Sequence, residues 1–330
     1  MANINDLCAD AGTPGCPCPL SETGDCLVCG RLSGGDCGDC RWAGVCIYNE
    51  YVQNDKIIRN RRENTEAPVL KKIWYQEDLL ALSLKVSRGF ALAASRPGSF
   101  VFIKKRGASD FFNFPLSVMR TDVEKGELWL ALKVISGKTK ETAAEEESLI
   151  IRGVYRNGLL GKGRGGLEED VKAAGIGKDG RKRKWLIMTK GAGFAPAVNL
   201  LLWAAGRTEA HVITDTEKIN EKILRDYLWD LRGAGSPGEN IFFSRRPLAE
   251  AAGDPALREE DYDRVIILAS DYYIRYIWEK LKVPPEKLIF SNNFHMCCGE
   301  GICGACCHTD RGGNVSKMCK CGSTDVRELI

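Results

Sequence analysis

The chain has 330 residues, enough for two or three domains, and its 44% hydrophobic and 28% charged residues are the proportions of an ordinary folded protein. A formal net charge of +3 is too small to argue for nucleic acid or a membrane surface as partner. The opening "MANINDLCADAG" lacks the basic and apolar regions of a signal peptide, and no stretch approaches ~20 apolar residues, so a cytoplasmic protein without a membrane span is expected.

Residues 1–66 are rich in Gly, Pro, Asp and Cys and read as loops that metal ligation would order. "IIRNRRENTEAP" reads as a charged connector ending at Pro68. From Val69 the texture changes. "LLALSLKVS", "GSFVFIKK", "LSVMRTD" and "ELWLALKVIS" are short apolar or alternating runs separated by turn signals, which predicts a small antiparallel β-barrel over residues 67–166. A short helix is expected in "KETAAEEESLI". A glycine-rich charged link follows; its block Arg181–Lys184 reads as a solvated loop, with docking of an acidic partner as the other reading. Beyond it strands ("KWLIMTK", "HVITD", "RVIILAS") alternate with helices ("APAVNLLLWAAG", "EKINEKILRDYLWDLRG", "YYIRYIWEKLK"), the pattern of a parallel, doubly wound α/β domain over 167–290.

Fifteen cysteines are confined to the two ends: eight between Cys8 and Cys46, seven between Cys297 and Cys321. In a large chain without an export signal this predicts metal modules rather than disulfides. In the last module, 291–330, Cys298, Cys303 and Cys306 have the spacing C-x4-C-x2-C and Cys319 follows after twelve residues, the plant-type [2Fe–2S] pattern. Gly299, Gly301 and Gly304 would let the loop turn tightly and bring N–H groups to the sulfurs. A zinc site usually takes two short Cys pairs instead. Cys297, Cys307 and Cys321 read as non-ligands, and His295 and His308 as flanking residues. At the other end Cys26-x2-Cys29 and Cys37-x2-Cys40 are the first-choice ligands of a second site, with Cys16, Cys18 and Cys46 as extras. Zinc and a second iron–sulfur cluster both remain open there.

"LIMTKGAGFAPAVNLL" sets Gly191 to Pro196 between a strand and a helix, where bare N–H groups can seat a pyrophosphate. A plain tight turn is the other reading. Asp215, ending the next strand, suits either a ribose hydroxyl, favouring NAD over NADP, or a helix N-cap. In the barrel, "FFNFPLSVMR" and "LKVISGKTKETAA" offer hydroxyls, lysines and exposed amides of the kind that hold a flavin and its phosphates.

Taken in order, "PGSFVFI", "FPLS", "SGKT", "IIRGVYRNG", "GAGFAP" and the cysteine loop resemble the electron-transfer subunit of dihydroorotate dehydrogenase, a member of the ferredoxin–NAD(P) reductase superfamily, from Pro68 to Ile330. The resemblance implies FAD, NAD(H) or NADP(H), a [2Fe–2S] cluster and a partner redox subunit or ferredoxin-like protein. By motif, Phe114, Pro115, Leu116 and Ser117 match the flavin turn, and Leu132, Lys133, Lys138 and Thr139 the second flavin strand and phosphate turn. Gly191, Gly193 and Pro196 match the nicotinamide-nucleotide turn, and Cys298, Cys303, Cys306 and Cys319 the cluster ligands. The family's flavin turn begins with Arg where this chain has Phe114; Arg120 or Lys133 would have to replace that cation. The first 60-odd residues have no counterpart in that subunit, which implies a different partner. Two rival readings follow: a docking or scaffold subunit that keeps the clusters but has lost the flavin, and a zinc protein that binds nucleic acid, against which the low net charge counts.

Overall fold

The computed structural model describes residues 8–38, 40, 42–172, 180–232, 240–310, 312–322 and 324–329. The chain divides into two compact units, Thr65–Asn293 and a second made of Met1–Asn64 with Phe294–Leu329. The two cysteine-rich ends, separate modules in the sequence reading, thus belong to one unit.

Thr65–Asn293 begins with a closed antiparallel barrel in the order β1-β2-β5-β4-β3-β6. Its strands are β1 Thr65–Gln76, β2 Leu79–Lys85, β3 Phe100–Lys105, β4 Phe114–Asp122, β5 Glu127–Lys133 and β6 Ser148–Tyr155. β1 starts before Pro68, inside the expected connector. Thr65–Pro68 pairs with β6, and from Val69 the strand pairs with β2. Proline therefore sits where the strand changes partners, a place that tolerates its missing N–H.

β2 reads as a continuous apolar run because both its faces are covered. Leu82 and Leu84 point into the barrel with Val101, Ile103, Val118, Leu128 and Leu130. Leu79 and Ala81 point outward and join Met119, Ala131, Phe194, Ala197 and Val198 in the core of the next layer. Each fully buried leucine contributes about 2 kcal/mol, and this shared core holds the barrel to the α/β layer.

That layer is a sheet in the order β10-β9-β8-β11-β12-β7. It comprises β7 Leu159–Leu160, β8 Lys184–Lys190, β9 Glu209–Asp215, β10 Ile241–Arg245, β11 Arg264–Leu268 and β12 Leu288–Ser291. All neighbours are parallel except β12 and β7. β9 and β10 lie on one side of β8, β11 and β12 on the other, so a topological switch point falls between β8 and β11. Among the described residues no helix is long and apolar enough to cross a membrane.

In the second unit a small core gathers Cys29, Leu32, Ile47, Tyr51 and Ile58, with Cys16, Cys26 and Trp42 packed against it. The C-terminal part is a cysteine loop followed by a hairpin, β13 Cys307–Thr309 with β14 Val315–Lys317. Asp10 and Arg62 join Glu300 and Lys320 in a buried ion-pair quartet, with Arg62 Nη2 2.6 Å from Asp10 Oδ1 and Lys320 Nζ 2.7 Å from Asp10 Oδ2. Burial would raise the Asp10 carboxyl, but the Lys320 and Arg62 charges outweigh it and hold it near about 2. A depressed carboxylate stabilises above its unfolded pKa and loses that contribution as pH falls through its folded value. Roughly 2 kcal/mol should therefore be present above about pH 4 and lost between about pH 4 and 2. Urea midpoints measured at pH 6 and pH 2.5 should differ less in Asp10→Asn than in the native chain; equal losses would sink the assignment.

Candidate functional site

The four C-terminal cysteines are brought together by two local devices. Gly299, Gly301 and Gly304 all take left-handed backbone, with φ of 69°, 76° and 75°, so the loop coils within a few residues. The β13–β14 hairpin then returns the chain, Met318 N–H donating to Cys306 O at 3.0 Å, so that Cys319 arrives beside Cys306 despite twelve intervening residues. Backbone N–H groups point at the sulfurs: Glu300 and Cys303 donate to Cys298 Sγ at 3.3 and 3.5 Å, and Cys319 to Cys306 Sγ at 3.3 Å.

The side chains meet in pairs, Cys303 with Cys298, Cys298 with Cys319, and Cys319 with Cys306. Among the described residues no three His, Cys, Asp or Glu side chains stand in ready-made metal geometry. The Cys319 thiol and the backbone donors push Cys298 down to about 3 against its burial, and Cys319 likewise brings Cys306 to about 6. Cys319 is raised by its bonds to those two sulfurs, and Cys303 by burial first. The donor set fits an iron–sulfur cluster: four sulfurs in one loop and hairpin, with N–H groups already aimed at two of them.

Of the neighbours, Cys307 is exposed on β13, and burial pushes Cys321 up to about 11. His295 is exposed. His308 Nε2 pairs with Glu328 O at 2.8 Å.

Toward the N-terminus Cys29 N–H donates to Cys26 Sγ at 3.4 Å. Gly30 lies against the backbone ahead of Cys37, since a Cβ there would meet Asp36 O at 2.4 Å. Cys37 and Cys40 are exposed, and so is Cys46. The inward cysteines are others: Cys16 packs with Cys26 and Cys29, while Cys8 and Cys18 are buried. Burial pushes Cys8 and Cys16 up to about 12. Spacing alone gave no sign of this inward set.

The turn Gly191–Gly193 stands at the carboxyl end of β8, at the switch point where α/β sheets open a ligand crevice. Gly191 has φ +58°. Gly193 allows the turn to press on β11, because a Cβ would lie 1.9 Å from Leu268 O. The helix Phe194–Ala204 follows directly, and Pro196 falls in its first turn, where an N–H has no intrahelical partner to lose. Asp215 is held by three donors of the protein. It accepts from Lys190 Nζ at 2.6 Å and from the N–H groups of Glu217 and Leu248, both at 3.1 Å. Burial works to raise its carboxyl, but these donors hold it below the usual range.

In the barrel Phe114 and Leu116 pack against the core, leaving Pro115 exposed and Ser117 half-exposed on the other face of β4. Leu132 is fully buried. Lys133 pairs with Asp78 at 2.7 Å. Lys138 donates to Phe111 O and lies 4.2 Å from that ring's centre. Thr139 forms a capping box with Ser136 at the start of the helix Gly137–Ala144. Gly137 itself is exposed, which leaves the helix N-terminus open to an anion. Arg120 is exposed further along β4.

Solved structures share this fold. The NADH-dependent reduced ferredoxin–NADP oxidoreductase studied for flavin-based electron bifurcation matches 79% of this chain and 88% of its own, with TM-score 0.55 and 18% identity. A ferredoxin NADP+ reductase from Neisseria gonorrhoeae, solved with bound FAD and NADP, matches 71% of this chain and 100% of its own, with TM-score 0.53 and 14% identity. No protein-family model matches the chain, and no curated protein matches it in sequence. At these identities the likeness is one of fold: a closed antiparallel barrel beside a mostly parallel α/β layer.

Proposed function

We propose that the chain is an electron-transfer subunit that passes electrons between NAD(P)H, FAD and a [2Fe–2S] cluster, to or from a partner redox protein in the cytoplasm. The observation that carries this reading is the gathering of Cys298, Cys303, Cys306 and Cys319 into one loop and hairpin, on a chain whose other unit has the ferredoxin reductase fold. Hydride exchange and single-electron release would be the chemistry of the flavin and the cluster. The protein's part is to hold and orient. The amides of Gly191 to Gly193 and the helix behind them suit the pyrophosphate of NAD(H) or NADP(H). Pro115, Ser117 and the open helix end at Gly137 suit FAD. Cys26, Cys29, Cys37 and Cys40 would hold an N-terminal metal, zinc or a second iron–sulfur cluster.

FAD-loaded protein should bleach on anaerobic addition of NADH or NADPH. Bleaching by neither would remove the nicotinamide half of the proposal.

A second reading is favoured by the barrel contacts. Phe114 supplies packing where a cation is expected, and Lys133 and Lys138 already bond within the protein. On this reading the chain is a docking or scaffold subunit that keeps its clusters without flavin. Protein that takes up iron but no FAD on reconstitution would establish it.

A further inference from the structure

Lys320 follows the fourth proposed cluster ligand, and its side chain is 0% exposed. Its stem lies on the ligand loop, where a Cβ on Gly301 would stand 3.2 Å from Lys320 Cγ. Its ammonium donates to Asp10 Oδ2 and to Glu300 Oε2, both at 2.7 Å. Arg62 closes the quartet, bonding Asp10 Oδ1 at 2.6 Å and Glu300 Oε1 at 3.4 Å. Arg62, Asp10 and Glu300 are only 11%, 7% and 15% exposed. Glu300 lies between Cys298 and Cys303 and donates its own N–H to Cys298 Sγ. Lys320 O in turn accepts from Ala9 N–H at 2.8 Å, next to Cys8.

Buried charges of this kind are a poor route to stability, since apolar side chains of similar size often do as well. Beside a redox centre they have another use. The potential of an iron–sulfur cluster depends on nearby charge, hydrogen bonds to sulfur and exposure. Reduction adds one electron, converting one ferric iron to ferrous, and so adds one negative charge. In a low-dielectric surround a nearby ammonium favours that added charge and a nearby carboxylate opposes it. The N-terminal segment supplies half of the quartet, Asp10 and Arg62, so the charge balance at the loop exists because that segment is attached.

We propose that Lys320 is a positioning residue of the [2Fe–2S] site: its buried ammonium, held by Asp10 and Glu300, ties the N-terminal segment to the ligand loop and favours the reduced cluster. This rests on the reading of Cys298, Cys303, Cys306 and Cys319 as its ligands. The test is a potentiometric titration of the full chain, with dithionite as reductant and the cluster's EPR signal as readout, for the native sequence, Lys320→Met and Glu300→Gln. Lys320→Met should titrate at lower potential and Glu300→Gln at higher, both with the line shape of a [2Fe–2S] centre. Shifts in the same direction, or none, overturn the proposal, because a merely structural role has no sign. Should Lys320→Met lose its iron, Glu300→Gln decides alone: a raised potential supports the proposal, and an unchanged or lowered one overturns it. A native chain that takes up no iron refutes the cluster reading and this proposal with it, an outcome distinct from a cluster that titrates without a shift.

Discussion

Cys298→Ser should abolish the EPR signal of the reduced cluster and lower the iron content by about two atoms per chain. Cys298 is the hub of the four sulfurs. It accepts two backbone N–H groups and meets both Cys303 and Cys319. Those two N–H groups favour negative charge on its sulfur, which suits ligation. A serine oxygen keeps the hydrogen bonds but stays protonated at neutral pH and suits iron poorly. Cys307→Ser is the control, because Cys307 is exposed on the hairpin and lies outside the proposed ligand set. Iron and signal retained in Cys298→Ser, or lost in Cys307→Ser, would show that the ligand set is wrong.

Gly193→Ala is expected to cost about 3 kcal/mol or more, the upper range for forcing atoms into a packed core. The new Cβ would lie 1.9 Å from Leu268 O, a backbone atom of β11 that cannot swing aside. The turn must lift from β11, taking the first turn of the helix Phe194–Ala204 with it. Gly191→Ala is the informative comparison. A Cβ there meets nothing within 4 Å but must accept φ +58°, a strain of about 1–2 kcal/mol. Thermal unfolding should place Gly193→Ala about 6–12 °C below the native chain, with a smaller loss for Gly191→Ala. Nicotinamide-nucleotide binding should weaken in both, since both reshape the proposed seat of the pyrophosphate. A Gly193→Ala protein with an unchanged melting temperature would contradict the close packing described.

Local structure was readable from the sequence wherever one segment carries it alone. The cysteine loop is such a segment, with its three left-handed glycines. So are the strand–glycine–helix turn at Gly191 and the alternating runs of the barrel. Strand order is not local, and the switch point beside β8 became visible only once β11 was seen to return to its flank. β10 is five residues long with a mostly exposed pattern, so its weak apolar signal did not mark it as a strand. Asp215 illustrates a different limit: ribose binding and a structural anchor require the same carboxylate at the same strand end, and the partners Lys190 and Leu248 that anchor it come from other segments. Phe114 was legible as a missing cation but not as a core residue. The ion-pair quartet joins position 10 to position 320, a separation across which sequence spacing carries no signal.

The most direct test of the account is whether electrons from the nicotinamide reach the cluster. Full-length protein, reconstituted with iron, sulfide and FAD, would receive NADH or NADPH anaerobically and be frozen for EPR. The account predicts a [2Fe–2S] signal that appears with one of the two nucleotides and only when FAD is present. A cluster that dithionite reduces, but that stays silent with both nucleotides in FAD-loaded protein, would contradict it.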